Sequence, residues 1–157
     1  FLVPLATRPT LDLFERILIQ HHATDLPIRK LFGHASDAML ASNAVLVASG
    51  TATLEVALAK RPMVISYKIS ALTYHLVKHK MRLPYVGLPT ILCGEALVPE
   101  LLQKEATPEK LAQALLGVWR DQAYCAQLMT RFTALHRELK QDSAARAAAA
   151  VLAVVAA

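Results

Sequence analysis

The sequence has few of the residues that mark several common classes of protein. Of its 157 residues, two are cysteines, one is a tryptophan and 6% are aromatic. Cys93 and Cys125 lie far apart without metal-ligand spacing, which indicates a reducing compartment and excludes a disulfide framework. No apolar run approaches the roughly 20 residues that a membrane-spanning helix needs. Only 18% of residues are charged, which excludes a disordered or coiled-coil chain.

The remaining composition is that of one folded domain with a basic surface. Hydrophobic residues make up 55% of the chain, enough for a single packed core. The net charge of +5 favours anionic partners. Basic residues without interleaved aromatic residues argue against nucleic acid as the partner. Phe1 begins inside an apolar run without an initiator Met or a basic leader, so we expect part of a longer protein and not a signal peptide.

Short apolar runs alternate with amphipathic segments along the first two thirds of the chain. Strands are predicted over residues 2–5, 28–32, 45–48, 63–67 and 85–88. Helices are predicted over residues 10–21, 36–42, 51–60, 71–80, 98–103, 108–119, 123–140 and 143–155. Strands that alternate with helices predict βαβ units, a parallel sheet and therefore an α/β fold, followed by an all-helical final third. We find no second domain boundary.

The segment 45–55 carries the main functional signal. An apolar strand pattern stops at Ser49, Gly50 and Thr51, and a helical pattern follows. The first amides of a helix and its positive dipole end attract anions such as phosphate. Glu55 lies one helical turn after Thr51, within reach of the hydroxyls of a bound nucleotide diphosphate. The alternative is an ordinary helix cap with a solvated Glu55.

Two further loops are expected beside this turn, because ligands of open α/β sheets bind at the carboxyl ends of strands. They are residues 68–71 and 87–94, and Lys68 can reach a diphosphate from the first of them. Lys68, His75, His79 and Arg82 share a narrow arc if 68–82 is helical, which suits an anionic membrane surface or an ordinary surface helix. The two histidines have no evident third ligand, so no metal site is predicted.

Four segments occur in an order that resembles the lipid-A-disaccharide synthase family, inverting glycosyltransferases of the GT-B fold. They are residues 49–55, 62–64, 85–89 and 98–103, and the resemblance extends over nearly the whole chain. It implies that residues 1–157 form one Rossmann-like, UDP-sugar-binding domain, with helices 108–157 packing on it or on a partner. It also implies that the family's first strand of this domain, the N-terminal acceptor domain and the catalytic base lie outside the chain, which would then be inactive alone.

The family's activity implies specific partners. It condenses UDP-2,3-diacylglucosamine with 2,3-diacylglucosamine 1-phosphate and releases UDP, on the cytoplasmic face of the inner membrane of Gram-negative bacteria. The resemblance therefore implies a cytoplasmic protein at the inner-membrane surface. A homodimer through the C-terminal helices is also expected. No cofactor or metal is expected, because the helix dipole and basic side chains can stabilise the departing UDP.

By matching position, the resemblance gives roles to single residues. It implies that Ser49, Gly50 and Thr51 face the diphosphate and that Glu55 binds the ribose. Glu100 and Gln103 lie in the helix predicted after Val98. They match family positions near the sugar or ribose. A further substrate position holds Thr90, where the family usually has Asn.

Two other functions remain open from the residues. One is a different GT-B enzyme for UDP-N-acetylglucosamine, such as an epimerase or a MurG-like transferase. The other is a non-catalytic module for membrane docking or dimerisation.

Overall fold

Five parallel strands form two sheets in the computed structural model, which describes residues 1–70, 73 and 85–155. In the first sheet β1 (Leu2–Leu5) pairs with β2 (Arg29–Phe32). The second contains β3 (Val45–Ala48), β4 (Met63–Tyr67) and β5 (Glu100–Leu102), with β4 in the centre. The predicted α/β fold with parallel strands is confirmed.

The helices follow the predicted pattern closely. Their bounds are α1 (Arg8–Gln20), α2 (Ala35–Ala41), α3 (Thr51–Leu58), α4 (Leu88–Cys93), α5 (Pro108–Arg120), α6 (Gln122–Leu139) and α7 (Ser143–Val155). A short 3₁₀ turn over Gln103–Glu105 follows β5. Four of the described helices are preceded by a side chain that accepts a hydrogen bond from an amide of the first turn: Thr7, Thr107, Asp121 and Asp142. At the start of α5, Thr107 accepts a hydrogen bond from the Lys110 amide at 3.3 Å and Pro108 is the first helical residue.

Two predicted elements are wrong. Residues 85–88 do not form a strand: 85–87 are irregular and α4 begins at Leu88, because Pro89 fits a first helical turn and Gly94 ends the helix in a left-handed conformation. Residues 98–103 are not a helix, because Glu100–Leu102 pair with Ile65–Tyr67 of β4. The helix predicted over 71–80, with the basic face at His75, His79 and Arg82, lies outside the described residues.

The core lies around the second sheet. Met63, Val64 and Ile65 of β4 are fully buried, which explains why this central strand is a continuous apolar run. Val56 of α3 and Phe132 of α6 pack into the same cluster. The helices α1 and α7 contribute no buried residue. Within the described ranges, no helix combines the length and the apolar character that crossing a bilayer requires.

Candidate functional site

The carboxyl ends of β3, β4 and β5 lie side by side at one edge of the second sheet. Ser49 directly follows β3, Lys68 follows β4 and Gln103 follows β5. The Oε1 atom of Gln103 accepts a hydrogen bond from the Ile69 amide at 3.4 Å, so the β5 end contacts the chain leaving β4. The parallel register therefore brings together the ends of β3 and β4, as predicted. The end of β5 beside them was not predicted, and most of the third predicted loop, 87–94, is the helix α4.

The turn between β3 and α3 presents open main chain. Gly50 has φ +146° and ψ −165°, a conformation that a residue with a side chain rarely adopts. A Cβ atom placed on Gly50 would meet no other atom within 4 Å, and both Gly50 and Thr51 are exposed. Among the described residues, the Thr51 and Ala52 amides have no main-chain acceptor, whereas the Thr53 amide donates to the Gly50 carbonyl oxygen at 3.1 Å. This helix tip can therefore receive an anionic group from solvent.

The Ser49 side chain connects this turn to the segment before α4. Its hydroxyl donates a hydrogen bond to the Val86 carbonyl oxygen at 2.8 Å, and the Ser49 amide donates to the Ser66 carbonyl oxygen at 3.2 Å. In this geometry the hydroxyl proton is already used within the protein. Ser49 can still accept a hydrogen bond, but its first contribution is to fix the turn against its neighbour.

Thr53 belongs to the same assembly, and the sequence analysis missed it. Its fully buried hydroxyl donates to the Gly50 carbonyl oxygen at 2.7 Å and accepts from the Leu88 amide at 3.2 Å. The first bond spans three residues, a local pattern common for threonine near helix starts. That spacing was a usable sequence signal, whereas the bond to Leu88 joins residues 35 apart.

Glu100 is the first residue of β5, and Gln103 is the first residue of the turn that follows this strand. The Glu100 carboxylate accepts hydrogen bonds from the Val86 amide at 2.7 Å and the Gly87 amide at 3.1 Å. Gln103 has φ +50°, which is uncommon for a residue with a side chain. Both side chains thus contact main chain of the candidate site, although they do not start a helix as predicted.

Glu55 and Lys68 are both exposed. Glu55 lies on α3 one turn after Thr51, the spacing on which its predicted role depends. Neither side chain has a hydrogen-bond or ion-pair partner in the part of the chain that the structure describes. Their contacts with a nucleotide stay a prediction.

Comparison with known proteins adds the decisive observation. A sequence model of the lipid-A-disaccharide synthetase family matches residues 1–152. The chain belongs to this family. It is 67% identical over 154 residues to the lipid-A-disaccharide synthase of Chromobacterium violaceum, 60% identical over 152 residues to that of Aromatoleum aromaticum and 52% identical over 152 residues to one from Neisseria meningitidis.

These alignments cover nearly all of this chain but a minor part of each relative. They include 98%, 97% and 97% of the chain, and 40%, 39% and 40% of the three relatives. The chain therefore spans about 40% of the length of the lipid-A-disaccharide synthases that it matches.

Thr90 is the predicted substrate position at which the sequence departs from the Asn that is usual in the lipid-A-disaccharide synthase family. The residue lies inside α4 and is fully buried, and its hydroxyl oxygen has no hydrogen-bond partner among the residues that the structure describes. This oxygen would be 3.5 Å from a Cβ atom built on Gly87. Position 90 thus faces the packed side of the loop before α4, and its contact with a substrate stays a prediction.

No metal site is found in the described ranges, where no group of three or more His, Cys, Asp or Glu residues could hold an ion. His75 and His79, the pair considered from the sequence, lie outside those ranges.

Proposed function

We propose that this chain supplies the donor-nucleotide site of a glycosyltransferase of lipid A biosynthesis. The reaction joins UDP-2,3-diacylglucosamine to 2,3-diacylglucosamine 1-phosphate and yields lipid A disaccharide 1-phosphate and UDP. The single observation that carries the proposal is the open turn at Gly50 and Thr51, at the carboxyl edge of a parallel sheet, in a chain of the lipid-A-disaccharide synthase family.

The chemistry assigned to this site is stabilisation of the leaving group. A hydroxyl oxygen of the acceptor attacks the anomeric carbon of the donor, the bond from that carbon to the UDP oxygen breaks, and the configuration inverts. The negative charge that develops on UDP falls at the α3 tip, where amides and the helix dipole stabilise it without reorganising. The hydroxyl proton goes to a base, which we infer lies outside residues 1–157.

Two exposed side chains complete the proposed donor site. Glu55 would accept hydrogen bonds from the ribose hydroxyls, one helical turn beyond the diphosphate. Lys68, at the end of the neighbouring strand, would add a positive charge near the diphosphate. Exposure of both side chains is compatible with contacts to a bound nucleotide.

The test uses the full-length protein that contains this chain. Calorimetric titration should show UDP binding, and turnover should require both diacylated sugars. Glu55→Ala should raise the UDP dissociation constant by about tenfold or more, because hydrogen bonds to a charged group contribute about 1.5–3 kcal/mol. Glu138→Ala, an exposed carboxylate on α6, is the matched control and should bind UDP as the wild type does. Unchanged affinity in Glu55→Ala would remove Glu55 from the site.

Acyl chains on the substrate separate this proposal from a different GT-B enzyme. An epimerase or a MurG-like transferase would act on unacylated UDP-N-acetylglucosamine. Turnover of the diacylated donor, with none of its unacylated counterpart, would support the lipid A reaction. The opposite preference would favour one of those enzymes.

We further propose that α7 contacts a second copy of the protein, and that the full-length protein lies at the cytoplasmic surface of the inner membrane. All residues of α7 are exposed, and Val151, Leu152, Val154 and Val155 are 62% to 78% exposed. An apolar helix face of this kind favours a partner surface. Ultracentrifugation and liposome co-sedimentation test the two contacts. Liposome binding without UDP binding would favour the non-catalytic docking module.

A further inference from the structure

The first residue of α4 and the two residues before it are held by side chains of neighbouring elements. Residues 86–88, which we call the clamp loop, have three successive amides that all donate to side-chain oxygens. Glu100 of β5 accepts the first two, from Val86 at 2.7 Å and from Gly87 at 3.1 Å. One carboxylate thus accepts hydrogen bonds from two successive amides. Hydrogen bonds to an ionised acceptor are stronger than those between neutral groups.

The clamp loop is in turn bonded to the proposed diphosphate turn. Ser49, the first residue of that turn, donates its hydroxyl to the Val86 carbonyl oxygen at 2.8 Å. Thr53 bonds to the Leu88 amide and to the Gly50 carbonyl oxygen with one hydroxyl. A continuous chain of hydrogen bonds therefore leads from β5 to the open main chain of Gly50.

We propose that Glu100 is a positioning residue for the donor nucleotide: its carboxylate fixes the clamp loop, and the loop holds the turn that receives the diphosphate. This inference rests on the proposed function. This role differs from the predicted contact of Glu100 with the sugar or ribose, and its support is that both carboxylate oxygens accept hydrogen bonds from the protein. A small displacement of the turn that receives the diphosphate would weaken donor binding, although every group that contacts the donor would still be present.

The chemistry of the two amides explains why a carboxylate is needed. The Val86 amide donates to Oε2 of Glu100 and the Gly87 amide donates to Oε1, so each amide uses its own carboxylate oxygen. Gln has one oxygen and one NH₂ group, so one of the two loop amides would face another donor. Glu100→Gln therefore keeps the size of the side chain and removes half of the clamp.

The experiment compares Glu100→Gln with the wild type in the full-length protein. We expect the UDP dissociation constant and the KM for the UDP-sugar to rise about tenfold. This change corresponds to the loss of one charge-assisted hydrogen bond. The KM for the acceptor sugar should change by less than about twofold, because the clamp loop acts on the donor side alone. Glu105→Gln, an exposed residue ion-paired with Lys110, is the matched control and should leave all three constants unchanged.

A second variant and a structural readout keep the outcome clear. Glu100→Ala should raise the donor constants further and should speed amide exchange at Val86 and Gly87, whose acceptor is removed. If Glu100→Ala fails to fold, Glu100→Gln decides. Wild-type UDP affinity in Glu100→Gln, or equal weakening of donor and acceptor, overturns the role of Glu100 while the proposed function stands. Absence of UDP binding in the wild type overturns both.

Discussion

The backbone at Gly87 lies so close to Ile65 that no side chain fits between them. A Cβ atom built on Gly87 would be under 3.0 Å from both Ile65 Cδ1 and Glu100 Oε1. The backbone angles of Gly87, φ −84° and ψ 131°, are accessible to any residue. Gly87 is therefore required for space, whereas Gly50 is required for its positive φ.

Gly87→Ala should destabilise the protein by about 1–3 kcal/mol, because the new methyl group overpacks a buried contact. Chemical denaturation of the full-length protein measures this change. Gly117→Ala is the matched control, since a Cβ atom there meets nothing within 4 Å on α5, and it should raise stability by about 0.5–1 kcal/mol.

Ile65→Val tests the cause of that destabilisation, because it removes the Cδ1 atom that the new methyl group would contact. Alone it should cost about 0.5–1.5 kcal/mol. Combined with Gly87→Ala, it should cost less than the sum of the two single changes. Strict additivity would show that the clash with Ile65 is not the reason for glycine at this position.

Thr90 and Thr53 offer a matched pair for the energetics of buried hydroxyls. Both are fully buried, but within the described part of the chain the Thr53 hydroxyl makes two hydrogen bonds and the Thr90 hydroxyl makes none. Thr90→Val should therefore raise the free energy of unfolding by about 1 kcal/mol, and Thr53→Val should lower it by about 1–3 kcal/mol. Denaturant titration measures both. A loss of stability or of UDP affinity in Thr90→Val would indicate an unrecognised partner for its hydroxyl.

The half-buried Tyr124 predicts a dependence of stability on alkaline pH. Its hydroxyl donates to the Leu97 carbonyl oxygen at 2.6 Å, and burial raises its pKa to about 12. An unfolded tyrosine ionises near pH 10, so this contribution to stability is complete below about pH 10 and is lost as pH rises to about 12. The stability difference between the wild type and Tyr124→Phe should shrink over that range. A constant difference up to pH 12 would contradict the assignment.

Local sequence patterns were sufficient for most of the fold. The segments 2–5, 45–48 and 63–67 form strands with the predicted bounds, because each is rich in apolar residues. Helix α7 also has its predicted bounds. The strand-to-helix turn at Ser49–Thr51 was predictable for the same reason, since its signal lies in adjacent residues.

Long-range pairing was not predictable from local patterns. The segment 98–103 reads as a helix, but β4 offers it an unpaired edge, and the Ile65 amide bonds to the Pro99 carbonyl oxygen at 2.9 Å. Residues 85–88 have the composition of a strand, yet Pro89 and Gly94 bound a short helix there. The bonds of Glu100, Ser49 and Thr53 to the clamp loop connect residues 13 to 37 apart, so no sequence window contains them.

The uneven burial along the chain has a consequence for its motions. Residues 1–37 contain no buried side chain, whereas β4, α3 and α6 supply most of the core around the second sheet. Opening of the β1–β2 portion therefore sacrifices little apolar contact and can occur as a separate, low-energy fluctuation. The second sheet and its helices, which carry Gly50 and the clamp loop, belong to the tightly packed portion. They can therefore keep their geometry while the β1–β2 portion opens and closes.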